Sequence, residues 1–275
     1  MNKQRLKAKL IKYFLQSCGS LSIIIVLLIF LFLFKEAFPF IGSPGIGELF
    51  HNIWNPVSFQ KEEFGLIPLI TGSVLVTILA TVIAIPFGII GAVYISEGIP
   101  SVVLGFFGLI VIAPFIKDLF GLNTGLTALT GAVLLAFMAI PTIMSISEDA
   151  IKSVPAAYKE ASLALGASKL ETIWKVVVPA ALSGIVASVM LGMGRVVGET
   201  MTVMMVTGNA PVISMNPFTS VRTMTATIAA EMGEVTIGSD HYMALFWVGI
   251  VLMLMTFSLN LISYRVLKKY GMIDK

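Results

Sequence analysis

Long stretches without Asp, Glu, Lys or Arg dominate the chain. Five run from Tyr13 to Phe34, Gly65 to Ser96, Gly98 to Phe115 or Ile116, Leu119 to Ser147 and His241 to Tyr264. A helix needs about 20 residues to cross the hydrocarbon core, so each run predicts one spanning helix. A sixth is expected from near Val176 through the Gly-, Ala-, Met- and Val-rich stretch Leu182 to Val206, and it carries Arg195 and Glu199 within the membrane. The first run follows Lys3, Arg5, Lys7, Lys9 and Lys12, as a secretory leader would. It lacks the small-x-small cleavage signature and is expected to be retained.

Composition agrees with this pattern. The 275 residues are 57% apolar and 12% charged, against about 25% charged in an ordinary soluble domain, which excludes a soluble fold. A net charge of +3 with scattered basic residues excludes a nucleic-acid surface. The single Cys18 excludes an internal disulfide. His51 and His241 have no neighbouring ligand, so neither a metal nor any other cofactor is expected.

Basic residues near span ends mark the cytoplasmic side. The N-terminus, the segment 148–175 and the tail hold 5, 4 and 4 of the 18 Lys and Arg residues. This predicts both termini inside. The expected organisation is a basic N-terminus (1–12), a first span (13–34), an extracytoplasmic loop (35–64), a core of five spans (65–264) with a cytoplasmic loop at 148–175, and a cytoplasmic tail (265–275).

Within that loop, Pro155 suits a helix start and Gly166 the left-handed residue past its end. Ser168 with Glu171 suits a capping box opening the next helix. Such a helix is too short to span and lies at the membrane surface.

Glu160-Ala161-Ser162, three residues, Gly166, nine residues, then Val176-x-Val178-Pro179 resembles the EAA loop of bacterial ABC-importer permeases, with Ser162 standing for Ala. The resemblance implies an all-α membrane protein of six transmembrane helices in the MetI-like fold. It also implies that Ala157, Glu160, Ala161, Ser162 and Gly166 dock into a dimer of cytoplasmic ATP-binding subunits. The chain has no Gly-x-x-x-x-Gly-Lys-Ser/Thr loop, so ATP hydrolysis is expected of a partner rather than of this chain.

Arg195 and Glu199, four apart on one expected helix, are predicted to face each other and pair, since each alone is costly in lipid. An arginine binds phosphate, sulfate or a carboxylate equally well on this argument. Gly194-Arg195-Val-Val-Gly198-Glu199-Thr200-Met201, running on to Val206-Thr207-Gly208-Asn209, resembles the signature of PstC-like permeases of phosphate importers. Gly98-Ile-Pro-Ser and Ala139-Ile-Pro-Thr are also typical of that family, and the resemblance covers most of the chain from Gly65 onward. It implies a phosphate path at Arg195, Glu199 and Thr200, a second PstA-like permease, an extracytoplasmic phosphate-binding protein and a bacterial inner-membrane location. One departure is that Tyr94-Ile-Ser-Glu97 abuts Gly98 where the family carries an additional cytoplasmic stretch. A secondary anion transporter and a transport-deficient docking subunit are the competing readings.

Hydroxyls recur at Ser73, Thr77 and Thr81 and at Thr124, Thr127 and Thr130. Packing is expected of them, with path lining as the alternative. Gly184, Ser188 and Gly192 form a small-residue ridge for close helix approach, Pro86 and Pro141 fall within expected helices, and Arg222 to Glu234 predicts a short external helix.

Overall fold

The computed structural model describes residues 3–58, 61–90 and 100–269. In chain order the helices are α1 (Lys3–Ala37), α2 (Ile67–Ile90), α3 (Ser101–Phe120), α4 (Ala128–Lys152), α5 (Ala156–Ala164), α6 (Lys169–Ala180), α7 (Leu182–Val197), α8 (Met201–Val206), α9 (Met224–Glu231) and α10 (Asp240–Lys269). A two-residue antiparallel ladder joins β1 (Trp54–Asn55) to β2 (Glu63–Phe64). Helices α1, α2, α3, α4 and α10 are each long and apolar enough to span, and α6 with α7, meeting at 69°, makes a sixth span.

Boundaries differ from expectation where local chemistry ends a helix inside an uncharged run. The third span continues to Phe120 and takes in Lys117 and Asp118, stopping at Gly121, whose φ of 61° is left-handed. The fourth begins at Ala128 instead of Leu119, because Thr127 accepts the Thr130 N–H and caps it. Pro86 and Pro141 both sit inside α2 and α4 as expected. The abutting junction at Glu97 and Gly98 lies outside the described residues.

Helices α2, α4 and α7 pack together at the centre. Their contact is built from Val76, Ala80 and Ala84, from Ala132, Ala136, Ala139 and Ile143, and from Val196. The many alanines let the backbones approach closely, which is how helices associate without a hydrophobic driving force. The expected ridge on α7 is used this way: Ser188 and Gly192 are buried, and Ser188 Oγ lies 2.7 Å from Ser147 Oγ of α4. By contrast α1 touches the rest mainly near its end. Phe32 meets Phe246 edge-on with centroids 5.6 Å apart, and Trp247 Nε1 donates to the Ala37 carbonyl at 2.9 Å. Its Ile23, Val26 and Leu27 are exposed, as a lipid-solvated helix requires.

At the bundle end carrying residues 35–66, Phe40, Leu49, Trp54, Phe64, Leu69, Met224 and Leu245 form a second apolar cluster. The segment following α8 closes over the start of α4, where the Thr219 and Pro217 carbonyls accept the N–H groups of Ala128 (3.0 Å) and Leu129 (2.8 Å). Those first-turn amides have no partner within the helix. The opposite end carries α5, and there Val154, Val177, Ala181 and Ile185 seal the turn into α7.

Candidate functional site

The helix bearing Arg195 stops at Val197, and Gly198 to Thr200 separate it from α8. Arg195 and Glu199 therefore do not share one helical face, and among the described residues they form no ion pair, contrary to the sequence expectation. Glycine is a poor helix former, which favours an end at Gly198. Beyond it Glu199 is bonded elsewhere. Glu199 Oε1 accepts the Thr202 N–H at 3.4 Å, within the first turn of α8, and the Glu199 carbonyl accepts Thr225 Oγ1 at 2.8 Å. Thr200 Oγ1 donates back across the break to the Gly198 carbonyl at 3.2 Å.

Arg195 points the other way. It is exposed on the chain's surface and Nη1 donates to Thr142 Oγ1 of α4 at 3.1 Å. Gly194 beside it has open space around its Cα.

Behind Glu199 lies a cavity of about 10 Å3 whose polar lining is Ser73, Thr77, Glu199, Thr223 and Thr225, room for about one water. The hydroxyl stripe of α2 thus faces inward. Ser73 Oγ accepts the Met224 N–H at 2.9 Å and Thr81 Oγ1 donates to the Thr77 carbonyl at 2.8 Å. On α4, Thr130 and the capping Thr127 are fully buried.

At the 35–66 end, Glu231 closes α9 and gathers three donors. Arg222 Nη1 pairs with Oε1, His241 Nε2 lies 2.8 Å from Oε2, and Trp54 Nε1 reaches both oxygens at 3.3 and 3.2 Å. Arg222 Nε also donates to the Asn209 carbonyl at 2.9 Å. Trp54, Arg222, Glu231 and His241 line an open cleft of about 620 Å3 together with Glu62, Glu234 and Pro211. His51 pairs instead with Glu48 at 2.9 Å. Among the described residues no group of three or more His, Cys, Asp or Glu is placed to hold a metal ion.

At the opposite end, α5 has no buried residue. Pro155 precedes it, Gly166 follows its end at φ +87°, and Ser168 with Glu171 forms the expected capping box. Ala157, Glu160 and Ala161 are exposed, and Leu165 is 90% exposed. Ser162 is turned inward, its Oγ 3.0 Å from Thr172 Oγ1 of α6. This arrangement is a projecting helix locked to the start of the sixth span, suited to passing a push from outside the bundle into α7.

The family model described as "Binding-protein-dependent transport system inner membrane component" matches residues 91–270. The chain belongs to that family. A Bacillus subtilis protein named "Probable ABC transporter permease protein YqgH" is 42% identical over 222 residues, covering 74% of this chain and 72% of that protein. "Phosphate transport system permease protein PstC" of Mesorhizobium japonicum is 34% identical over 274 residues, covering 86% and 83%. Among solved structures, the inward-facing MetNI methionine ABC transporter aligns with a TM-score of 0.53 at 19% identity, over 74% of this chain and 95% of that one. The fold is that of the MetI-like importer permeases.

The contacts that residue order does not reveal are that of Arg195 with Thr142 and the cluster around Glu231. Thr142 reads as part of an uncharged run, and nothing in the order of residues ties it to Arg195. A Thr and a Ser three apart, at 142 and 145, were the available signal.

Proposed function

We propose that this inner membrane component is the permease subunit of an ATP-driven ABC importer that moves inorganic phosphate into the bacterial cytoplasm, with both termini on the cytoplasmic side. The observation that carries the reading is Arg195, an exposed guanidinium on a spanning helix whose hydrogen-bond partner among the described residues is a hydroxyl. Insertion scales put such a charge at about +2.5 to 3.5 kcal/mol near the bilayer centre, so this surface faces water or protein rather than lipid. A second PstA-like permease supplies that protein, and the path runs between the two. Phosphate is supported by the names of the relatives. Chemically, a guanidinium fork matches a tetrahedral oxyanion.

Because Glu199 is engaged elsewhere, an anion arriving at Arg195 competes with a neutral hydroxyl and not with a carboxylate. Glu199 and Thr200 lie in the break between α7 and α8 and hold it by their hydrogen bonds. The exposed face of α5, through Ala157, Glu160, Ala161 and the turn at Gly166, seats in the dimer of ATP-binding subunits. Ser162 serves the same coupling from inside, by joining α5 to α6. ATP is hydrolysed by that partner, and this chain is not itself an enzyme. An extracytoplasmic phosphate-binding protein delivers substrate at the end carrying Glu231. Coupling requires that nucleotide and phosphate each bind two states of the permease unequally.

The test is phosphate uptake by proteoliposomes containing both permeases, the ATP-binding subunit and the binding protein. Uptake that depends on ATP is expected. Uptake without ATP would make the chain a secondary transporter, and an assembled complex without uptake would make it a docking subunit.

A further inference from the structure

Thr142 and Arg195 carry more hydrogen-bond donors than the described residues supply acceptors for. The Thr142 hydroxyl accepts from Arg195 Nη1, and among the described residues its own proton has no acceptor, although a helical threonine ordinarily bonds to the carbonyl one turn back. Among the described residues the guanidinium makes that single bond, and its other N–H groups have no acceptor there. Ser145, three residues on and so on the same face of α4, is exposed and its hydroxyl makes no bond to any described residue.

Other hydroxyls of this bundle behave differently. Ser147 is buried and bonded to Ser188, Ser73 is buried and bonded to the Met224 N–H, and Thr77 and Thr81 are buried. Ala136, Ala139, Ile140 and Ile143 of α4 are packed into the central cluster, as are Leu135 and Met138 on the Thr142 face nearer the start of the helix, whereas Thr142 itself is half-buried and Ser145 exposed. Thr142 lies about 15 Å from the Lys152 end of α4 at 1.5 Å per residue, near mid-membrane for a hydrocarbon core about 30 Å thick. Asp149 on the same face already belongs to the last turn.

Spare guanidinium N–H groups beside a hydroxyl whose proton is unused suit a ligand rich in acceptors at that depth. We infer that the Thr142 hydroxyl and the Arg195 guanidinium together form the mid-membrane seat for a tetrahedral oxyanion in transit, with the Ser145 hydroxyl the next donor toward the α5 end. This rests on the importer reading above. The Thr142 hydroxyl turns its proton to an anion oxygen while Arg195 holds a second oxygen, so the anion replaces the bond that links the two side chains when the seat is empty.

The test uses the complete complex in proteoliposomes with phosphate at saturating concentration. Wild type is measured first, and failure there to import phosphate with ATP defeats the importer reading itself. With wild type active, Thr142→Val, which keeps the shape and loses the hydroxyl, lowers phosphate imported per ATP hydrolysed about tenfold, the worth of one hydrogen bond to a charged group. Thr142→Ser restores it to within about twofold of wild type, since its hydroxyl makes the same bond. Wild-type coupling in Thr142→Val, or a Thr142→Ser complex as impaired as Thr142→Val, overturns the inference, the second result assigning Thr142 to packing through its methyl group. As an independent reading, Ser145→Cys in a Cys18→Ser background is modified by a membrane-impermeant anionic thiol reagent in the assembled complex. A cysteine there that stays unmodified through the transport cycle also overturns it.

Discussion

The Thr225 hydroxyl donates to the Glu199 carbonyl over 2.8 Å. This bond ties α9 to the break between α7 and α8. Two turns further along, α9 ends at Glu231, which carries Arg222, His241 and Trp54. A single eight-residue helix therefore connects the open cleft at one end of the bundle to the carbonyl beside the proposed path.

Thr225→Val removes a donor from a part-buried carbonyl and costs about 1–3 kcal/mol, the penalty for leaving such an acceptor unsatisfied. A lower unfolding midpoint in detergent is expected, with Thr225→Ser close to wild type. Equal midpoints for both variants would mean that the bond contributes nothing to the break.

Arg195→Ala abolishes phosphate uptake and leaves co-purification of the ATP-binding subunit intact, because α5 lies at the far end of the chain's sixth span. Loss of assembly in this variant would show that Arg195 packs the bundle.

Gly166 holds φ at +87° just past α5. Replacing it with Ala strains that turn by about 1–2 kcal/mol, tilting α5, so retention of the ATP-binding subunit on an affinity column should fall, and Glu160→Ala should lower it as well. Unchanged retention in both would remove this turn from the docking surface.

A Cβ on Gly72 would collide with the Arg222 carbonyl oxygen, backbone that cannot rotate away. Gly72→Ala should destabilise by about 1–3 kcal/mol, the range for overpacking a tight contact. Gly19→Ala, with nothing within 4 Å of the added carbon and inside α1 where Ala is the better helix former, is the control that should melt no lower than wild type.

Glu231→Gln takes the charge from a carboxylate shared by Arg222 and His241, at 16% side-chain exposure. The variant should weaken stimulation of ATP hydrolysis by the binding protein, measured as a rightward shift in its concentration dependence. An unshifted curve would place the docking contact elsewhere.

Spans, turns and caps were legible in the residue order because each depends on neighbours a few positions away. An uncharged run of sufficient length crosses lipid whatever surrounds it. Gly166 and the Ser168–Glu171 box, likewise, end and start helices by satisfying backbone groups within one turn. The Arg195–Glu199 pair was misjudged for the same local reason. Spacing of four implies contact only if the helix continues, and at Gly198 it does not.

Residue order by itself determined an all-helical membrane bundle of six spans, a short surface helix between Pro155 and Gly166, and the presence of an arginine inside a span. Tertiary structure alone decided what that arginine meets. Thr142 is 53 residues away in sequence, and Thr225 lies 26 beyond Glu199. Such partners are chosen by which faces of α4, α7 and α9 pack together, and packing depends on the shape of the whole bundle, where the hydrophobic signal is nearly uniform and ranks no face above another.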